Sequence, residues 1–423
     1  MRLLVVTQYF WPENFRINDL VAELVRRGHQ VVVLTGRPNY PQGTVFRDYS
    51  QSPRDFDEYE GARIVRIPML PRGRGGIRLI LNYLSFAICA STWGPWRLRG
   101  RQFDAIFAYE PSPITVGIPA AVIRGFKKAP LAFWVLDLWP ETLEAIGVVR
   151  SRTALQLVGK LVASIYKRCD LILAQSKRFV PAIAKYAGQN ARIEYFPSWA
   201  EPVFAAEVVL PAAEVPMKAE CFTILFAGNI GEAQDFPAIL NAAERLKDHP
   251  NIRWLIVGDG RLAGWVSDEI EKRGLQASVL MLGRYPVERM PSFFRHADAL
   301  LVSLKDDPIF AMTIPGKLQA YLAAGIPVLA MLDGEGAGVI RNGGAGLACP
   351  AGDHKALAED VLKLAAMSVG ERRTMGMNGI ALSKEEFGRR KLIDQLENWL
   401  GMLQFRGPVA CSNKRDCESP RNP

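Results

Sequence analysis

"MRLLVVTQYFWPENFRINDLVAELVRRGHQVVVLTG" (residues 1–36) decides the fold. "MRLLVVTQYF" is apolar enough for a strand buried on both faces. "WPENFRIND" has the composition of a loop. "LVAELVRRGH" repeats its apolar residues at helical spacing, with Asp19 placed to cap a helix from Leu20. "QVVVLTG" is a second buried strand. A β-loop-α-β unit of this kind opens a parallel sheet covered by helices on both sides. Because a strand begins at once, no signal peptide is expected ahead of it.

The pattern continues outward. "RIVRIPM", "FDAIFAY", "LAFWVLD", "DLILAQS" and "IEYFP" supply further strands with helical stretches between several of them. Residues 201–220 turn rich in Pro, Ala and Glu and read as a linker. A second series then starts at "FTILFAGNI" and alternates strand and helix through "RWLIVGDG", "VLMLGRY", "ALLVSL" and "GIPVL". The expected architecture is α/β: two doubly wound Rossmann-like domains, 1–200 and 221–385, facing across a cleft. A C-terminal helix at 386–405 could cross back to the first domain. Residues 406–423 lack apolar periodicity and read as a disordered tail.

Composition narrows the function. The chain has 423 residues, 49% hydrophobic and 22% charged, with a formal charge of +9 and a pI near 9.3. That excess suggests an anionic partner. Six cysteines lie far apart without a CxxC pair, so reduced thiols in a cytosolic enzyme are expected. Four histidines, none with a ligand-like neighbour, make a His-based metal site a poor reading, and His29 suits a turn cap. Basic and aromatic residues are not interleaved as in nucleic-acid modules, so no such partner is expected.

Residues 77–96, "IRLILNYLSFAICASTWGPW", approach the length of a membrane span. Arg78 and Asn82 interrupt the run, and Gly94-Pro95 should break its last turn. Yet eight arginines and no acidic residue lie between Gly61 and Phe103. An apolar helix between arginine clusters over 72–101 suits peripheral contact with anionic lipid, or a buried helix with solvated ends.

Glycine turns close successive strands of the second half at "LFAGNIG", "IVGDGR", "LGRYP", "TIPGK" and "GGAGL". Glycine lets backbone N–H groups approach an anion, and three of these turns carry Arg261, Arg284 or Lys317. In "TIPGKLQAYLAAGIPVL" (residues 313–329), Pro315 and Gly316 open a helix, Lys317 lies in its first turn, and Gly325 is a natural C-cap. A helix N-terminus with a lysine suits a diphosphate.

These segments, together with "QYFWPENFRINDLVAELVRRGHQVVVLTGRPNYPQG", "LDLWPETLEAIG", "EYFPSWAEPVF" and "FAGNIGEAQDFPAILNAA", resemble family 4 retaining glycosyltransferases of the GT-B fold, over roughly residues 1–400. They are most similar to the WbuB-like subgroup linked to bacterial O-antigen, capsule and colanic-acid sugars. The resemblance implies a hexosyl-type transferase whose second domain binds a nucleotide diphosphate sugar, such as a UDP-linked amino or deoxy sugar. Its first domain would take a saccharide on a polyprenyl diphosphate. No cofactor or metal is implied, and the enzyme would work at the inner face of the plasma membrane. Gly228, Asn229, Arg261, Arg284, Tyr285, Pro315, Gly316, Lys317 and Gln319 are the donor-side candidates.

The sequence also departs from that family. Its two customary glutamates fall at Met312 and Ala320, and its Arg and Lys near the first glycine turn fall at Asn229 and near Gln234 and Asp235. The ribose contact is thus unassigned, with Gln319 a nearby hydrogen-bonding side chain. On the acceptor side Asn14, Asn18, Asn39, Tyr40 and Glu110 are candidates. Asp137 and Glu141, just past a strand, could orient or deprotonate the acceptor hydroxyl. Two other readings stand beside transfer. A sugar-nucleotide epimerase would need acid–base groups in a His-poor cleft. A catalytically inactive assembly partner would account for the missing glutamates.

Overall fold

The computed structural model describes residues 1–423 apart from 74, 146, 148, 150, 206–208, 217–219 and 407–423. All but the first residue of the expected tail therefore lies outside the described residues. The first lobe is built on β1 (Arg2–Val6), β2 (Gln30–Thr35), β3 (Glu58–Tyr59), β4 (Ala62–Arg66), β5 (Ala105–Glu110), β6 (Leu131–Val135), β7 (Leu171–Ala174) and β8 (Ile193–Tyr195). Their order is β3-β4-β2-β1-β5-β6-β7-β8, parallel except for β3 against β4. The second lobe has β9 (Phe222–Ala227), β10 (Ile252–Val257), β11 (Val279–Gly283), β12 (Ala299–Ser303), β13 (Val328–Met331) and β14 (Gly346–Cys349). It is wholly parallel, ordered β11-β10-β9-β12-β13-β14.

The apolar strands do what their composition requires. Along β1, Leu4 and Val6 enter one core with Ile106 and Phe133, while Leu3 and Val5 enter the opposite one with Phe107 and Trp134. Successive side chains alternate across the sheet, so both faces need a helical cover. Strand order reverses between β1 and β5 and between β9 and β12. Ligands settle at such switch points, beyond the carboxyl ends of the strands.

The last helix, Arg389–Arg406, packs on the first lobe. Leu392, Ile393, Leu396, Leu400 and Leu403 are buried in the same core as Val5 and Trp134. Full burial of each is worth roughly 1.5–3 kcal/mol. Ion pairs line this contact: Arg389 holds Asp19 at 2.8 Å and Glu23 at 3.0 Å, and Arg27 holds Asp394 at 2.5 Å. This corrects the start of the first helix, which spans Arg16–Arg26. Asp19 lies inside it and accepts from Trp199 Nε1 at 2.7 Å instead of capping it. His29 caps the first helix through its backbone, donating its N–H to the Leu24 carbonyl at 3.0 Å, while its Nε2 also meets Glu397 of the last helix at 2.5 Å. Within 201–220, Phe204, Ala212 and Val215 pack into the second lobe, with Phe204 stacked on Phe294.

The helix Gly76–Arg97 runs through Gly94 and Pro95 instead of breaking there. Packing overrides the local signal. A Cβ at Gly94 would stand 3.2 Å from both Leu34 of β2 and Ile123 of the helix Gly117–Lys127, so the glycine is where the helix lies tightly against both. Phe86, Ala87, Ala90 and Gly94 face the core, whereas Ile77, Ile80, Leu81, Leu84, Ile88 and Trp96 are exposed. Among the described residues no helix is long and apolar enough to cross a membrane. Cys89, Cys169, Cys221 and Cys349 are free thiols, and Cys411 and Cys417 lie outside the described residues.

Candidate functional site

A cavity of about 1030 Å³ opens between the two lobes at the carboxyl ends of the strands. On its second-lobe side, β9 ends in Ala227-Gly228-Asn229 and β10 in Val257-Gly258-Asp259-Gly260. The two turns nest so closely that a Cβ on Gly258 would stand 1.8 Å from the Gly228 carbonyl oxygen, at a φ of +152°. No side chain fits there, which leaves backbone facing the cavity.

The helix Gly316–Ala324 points its start at the same space. Pro315 precedes it as N-cap, and Gly325 ends it in the left-handed conformation at φ +69°. Tyr321 pins it to β9: its hydroxyl accepts from Ala227 N–H at 2.9 Å and donates to the Ala227 carbonyl at 3.2 Å. Lys317 lies one turn before, its ammonium 3.6 Å from the centre of the Phe226 ring. Its Nζ is buried, has no hydrogen-bond partner and belongs to a cavity-lining residue. Burial pushes the Lys317 amine down to about 7. An uncompensated buried cation is costly unless something anionic completes it.

Other donor-side candidates divide. Gly228, Asn229, Arg284, Tyr285, Gly316 and Lys317 line the cavity. Arg284 is exposed, and Tyr285 packs its ring on Phe293 at 4.6 Å. Arg261 does not line the cavity; it is exposed in the turn before the helix Ala263–Lys272, because the Gly258–Gly260 turn brings backbone to the cleft instead. Gln319 is 1% exposed, and its correctly oriented amide donates to the carbonyls of Gly316 at 2.8 Å and Pro315 at 3.0 Å. It closes its own helix turn and does not line the cavity. Ala320 lines the cavity, while Met312 packs against the core of the first lobe.

On the first-lobe side Asn14, Tyr40 and Pro41 line the cavity. Asn18 and Asn39 are buried and occupied. Asn18 takes Trp11 N–H at 3.2 Å and donates to the Glu13 carbonyl at 2.7 Å. Asn39 donates to the Arg37 carbonyl at 2.8 Å and accepts Arg72 N–H at 2.9 Å. Both shape loops, and neither lines the cavity. Behind them Glu13, 2% exposed, accepts the N–H groups of Phe10 at 3.1 Å and of Asn39 and Tyr40 at 2.7 Å. Burial raises its carboxyl to about 7, although these donors and Arg66 oppose the rise.

The acidic candidates also lie away from the cavity. Glu110 is fully buried in β5, where burial and then Asp137 raise its carboxyl. Asp137 accepts from the Thr142 hydroxyl at 2.5 Å and Trp139 Nε1 at 3.3 Å, and burial raises it too. Glu141 accepts from the Tyr186 hydroxyl at 2.9 Å. None of the three lines the cavity. Residues passed over in the sequence do line it: Arg16, Glu201, Asp259 and Glu288. Arg16 pairs with Glu201 at 2.9 Å. Their one sequence signal is position beside a strand end or the linker. Among the described residues no group of three or more His, Cys, Asp or Glu is placed to hold a metal ion.

Comparison with known proteins accords with this arrangement. Residues 14–199 match the family profile "Glycosyl transferase 4-like domain", and residues 213–381 match "Glycosyl transferases group 1". WcaI of Escherichia coli (strain K12), named as a colanic acid biosynthesis glycosyl transferase, is 26% identical over 343 residues, 77% of this chain and 82% of that protein. Among solved structures, Anabaena Alr3699/HepE in complex with UDP and glucose superposes with a TM-score of 0.66, 13% identity and coverage of 95% of this chain and 99% of that one. Sucrose-phosphate synthase from Thermosynechococcus elongatus gives 0.71, 14%, 95% and 98%. WaaG, a glycosyltransferase involved in lipopolysaccharide biosynthesis, gives 0.63, 14%, 95% and 99%. With both lobes matched by their own profiles and the two-sheet architecture shared, the chain belongs to the family 4 glycosyltransferases of the GT-B fold.

Proposed function

We propose that the chain moves a hexosyl-type sugar from a nucleotide diphosphate, UDP by preference, to a lipid-linked saccharide in cell-surface polysaccharide synthesis, with retention at the anomeric carbon. The observation that carries this reading is Lys317, whose buried Nζ has no hydrogen-bond partner, in a residue lining a cavity between two lobes. The diphosphate would lie against the glycine turns and the start of the helix Gly316–Ala324, with Lys317 and Arg284 as its cations. Charge gathers on the diphosphate as the glycosidic bond breaks, and fixed donors aimed at developing charge are usually the largest catalytic contribution. Attack from the leaving-group face would let a departing phosphate oxygen take the acceptor's proton. That route fits the withdrawal of Asp137, Glu141 and Glu110 from the cavity. Asn14 and Tyr40 would meet the acceptor. HepE with UDP supports the choice of nucleotide, and the names of WcaI and WaaG support the polysaccharide setting.

A polyprenyl-diphosphate acceptor would hold the enzyme at the inner face of the plasma membrane. The exposed apolar stripe of the helix Gly76–Arg97 is the surface suited to rest there, with arginines at both ends for anionic headgroups. The test is release of UDP from UDP-sugars with and without a polyprenyl-diphosphate saccharide. Acceptor-dependent release supports transfer. Acceptor-independent isomerisation would favour an epimerase, and neither activity would favour an assembly partner.

A further inference from the structure

We infer that Arg16, carried by the first lobe, is an oxyanion-binding residue of the cleft, presenting Nη1 to a phosphate group of the ligand that bridges the lobes. Three observations bear on it. Arg16 lines the cavity together with Lys317. Its side chain is 13% exposed, and its Nη2 is fixed 2.9 Å from Glu201 Oε1. Its Nη1 is buried with no hydrogen-bond partner.

A guanidinium held only for an ion pair offers one edge to its carboxylate and commonly leaves the other in water. Here Nη2 is paired, and Nη1 is buried without an acceptor in a residue that lines the cavity. Buried donors without acceptors are rare and point to a group that arrives later. The planar fork of Arg matches two phosphate oxygens better than any other cation does. Glu201 then orients the guanidinium rather than neutralising its purpose. Lys317 Nζ and Arg16 Nη1 are buried nitrogens without acceptors, on residues from different lobes that line one cleft. A phosphate between them would tie the lobes together.

Two phosphates could serve: that of the nucleotide or that of the lipid-linked acceptor. The inference rests on the nucleotide-sugar reading of the cavity, and its test needs no turnover. Calorimetry would measure UDP and farnesyl diphosphate binding to the full chain and to Arg16→Met and Glu201→Gln. A tenfold or greater loss of UDP affinity in Arg16→Met, retained in Glu201→Gln, assigns Arg16 to the nucleotide. The same loss for farnesyl diphosphate with UDP unchanged assigns it to the acceptor. Unchanged binding of both, equal losses in the two variants, or a native chain that binds neither ligand overturns the inference. Should Arg16→Met fail to fold, Arg16→Lys replaces it. Lysine keeps the charge but lacks the planar fork that lets one edge hold Glu201 while the other meets a phosphate, so native affinity in that variant also overturns it. A native chain that binds UDP tightly but transfers no sugar would refute the proposed function and leave the Arg16 result standing.

Discussion

Replacing Lys317 with methionine should stabilise the empty protein and cripple it as a transferase. The amine falls from 10.5 to about 7 on folding because its ammonium is buried. At about 1.4 kcal/mol per pH unit, that penalty has a ceiling of about 5 kcal/mol. Contact with the Phe226 ring returns about 1–2 kcal/mol, and relaxation of the site lowers the ceiling further. A net gain of about 1–3 kcal/mol in Lys317→Met is expected. The sign follows from proton counting. Between about pH 7 and 10.5 the unfolded chain binds more protons than the folded one, so this group makes stability rise with pH across that window. The penalty is complete below pH 7, so the gain should be largest at pH 6 and fade towards pH 10.

Nucleotide should reverse the shift. An oxyanion about 4 Å from the ammonium at an effective dielectric constant of about 20 contributes about 4 kcal/mol, enough to return the amine to about 10. At pH 8.5 the native protein should therefore take up about 0.9 proton on binding UDP. Titration calorimetry in two buffers of different ionisation enthalpy reads that number directly. Lys317→Met should take up none and lose about 10²–10³-fold in kcat. Equal proton uptake by both proteins, or none by the native one, would refute the placement of Lys317 against the diphosphate.

Three further outcomes are expected. The Glu13 carboxyl, raised to about 7, stabilises most below pH 4.5 and loses that contribution as pH rises through 7, by at most about 3 kcal/mol. Urea melts from pH 5 to 8 should show that slope in the native protein and a flatter one in Glu13→Gln; equal slopes would count against the buried carboxyl. Gly258→Ala forces a Cβ into the Gly228 carbonyl and should cost about 2 kcal/mol or more, together with UDP affinity, and a native-like melt and titration would contradict the nested turns. Ile80→Ser with Leu84→Ser, at positions 51% and 44% exposed, should leave the melt unchanged. Only about half of each side chain is left to transfer, so at about half of 1.5–3 kcal/mol apiece the pair should weaken sedimentation with phosphatidylglycerol vesicles about ten- to a hundredfold, and undiminished sedimentation would remove the helix from the lipid surface.

Much of the fold was legible because buried parallel strands leave a coarse signal: largely apolar runs, closed by glycine in β2, β9, β10 and β11. Where the reading failed, a distant contact had outweighed a local one. Asp19 has the chemistry of a cap, but Trp199 and Arg389 claim it from far along the chain. Gly94-Pro95 looks like a helix break, but close packing on Leu34 and Ile123 keeps the helix intact. The site was legible on the donor side, where backbone turns and one helix start build it. It was less so on the acceptor side, where sequence cannot say whether a polar residue turns to its own loop or to the cleft. Asn18 and Asn39 turn inward, and Asn14 and Tyr40 line the cavity. Arg16 was invisible because its meaning depends on Glu201, almost the whole first lobe away in sequence.

The most direct measurement supplies purified protein with UDP-sugars and a polyprenyl-diphosphate saccharide, and follows both UDP release and the anomeric configuration of the product. Release that requires the acceptor, is abolished by Lys317→Met and yields a product with the donor's configuration is the predicted result. Release indifferent to the acceptor, an inverted product, or full activity without the Lys317 ammonium would contradict the account.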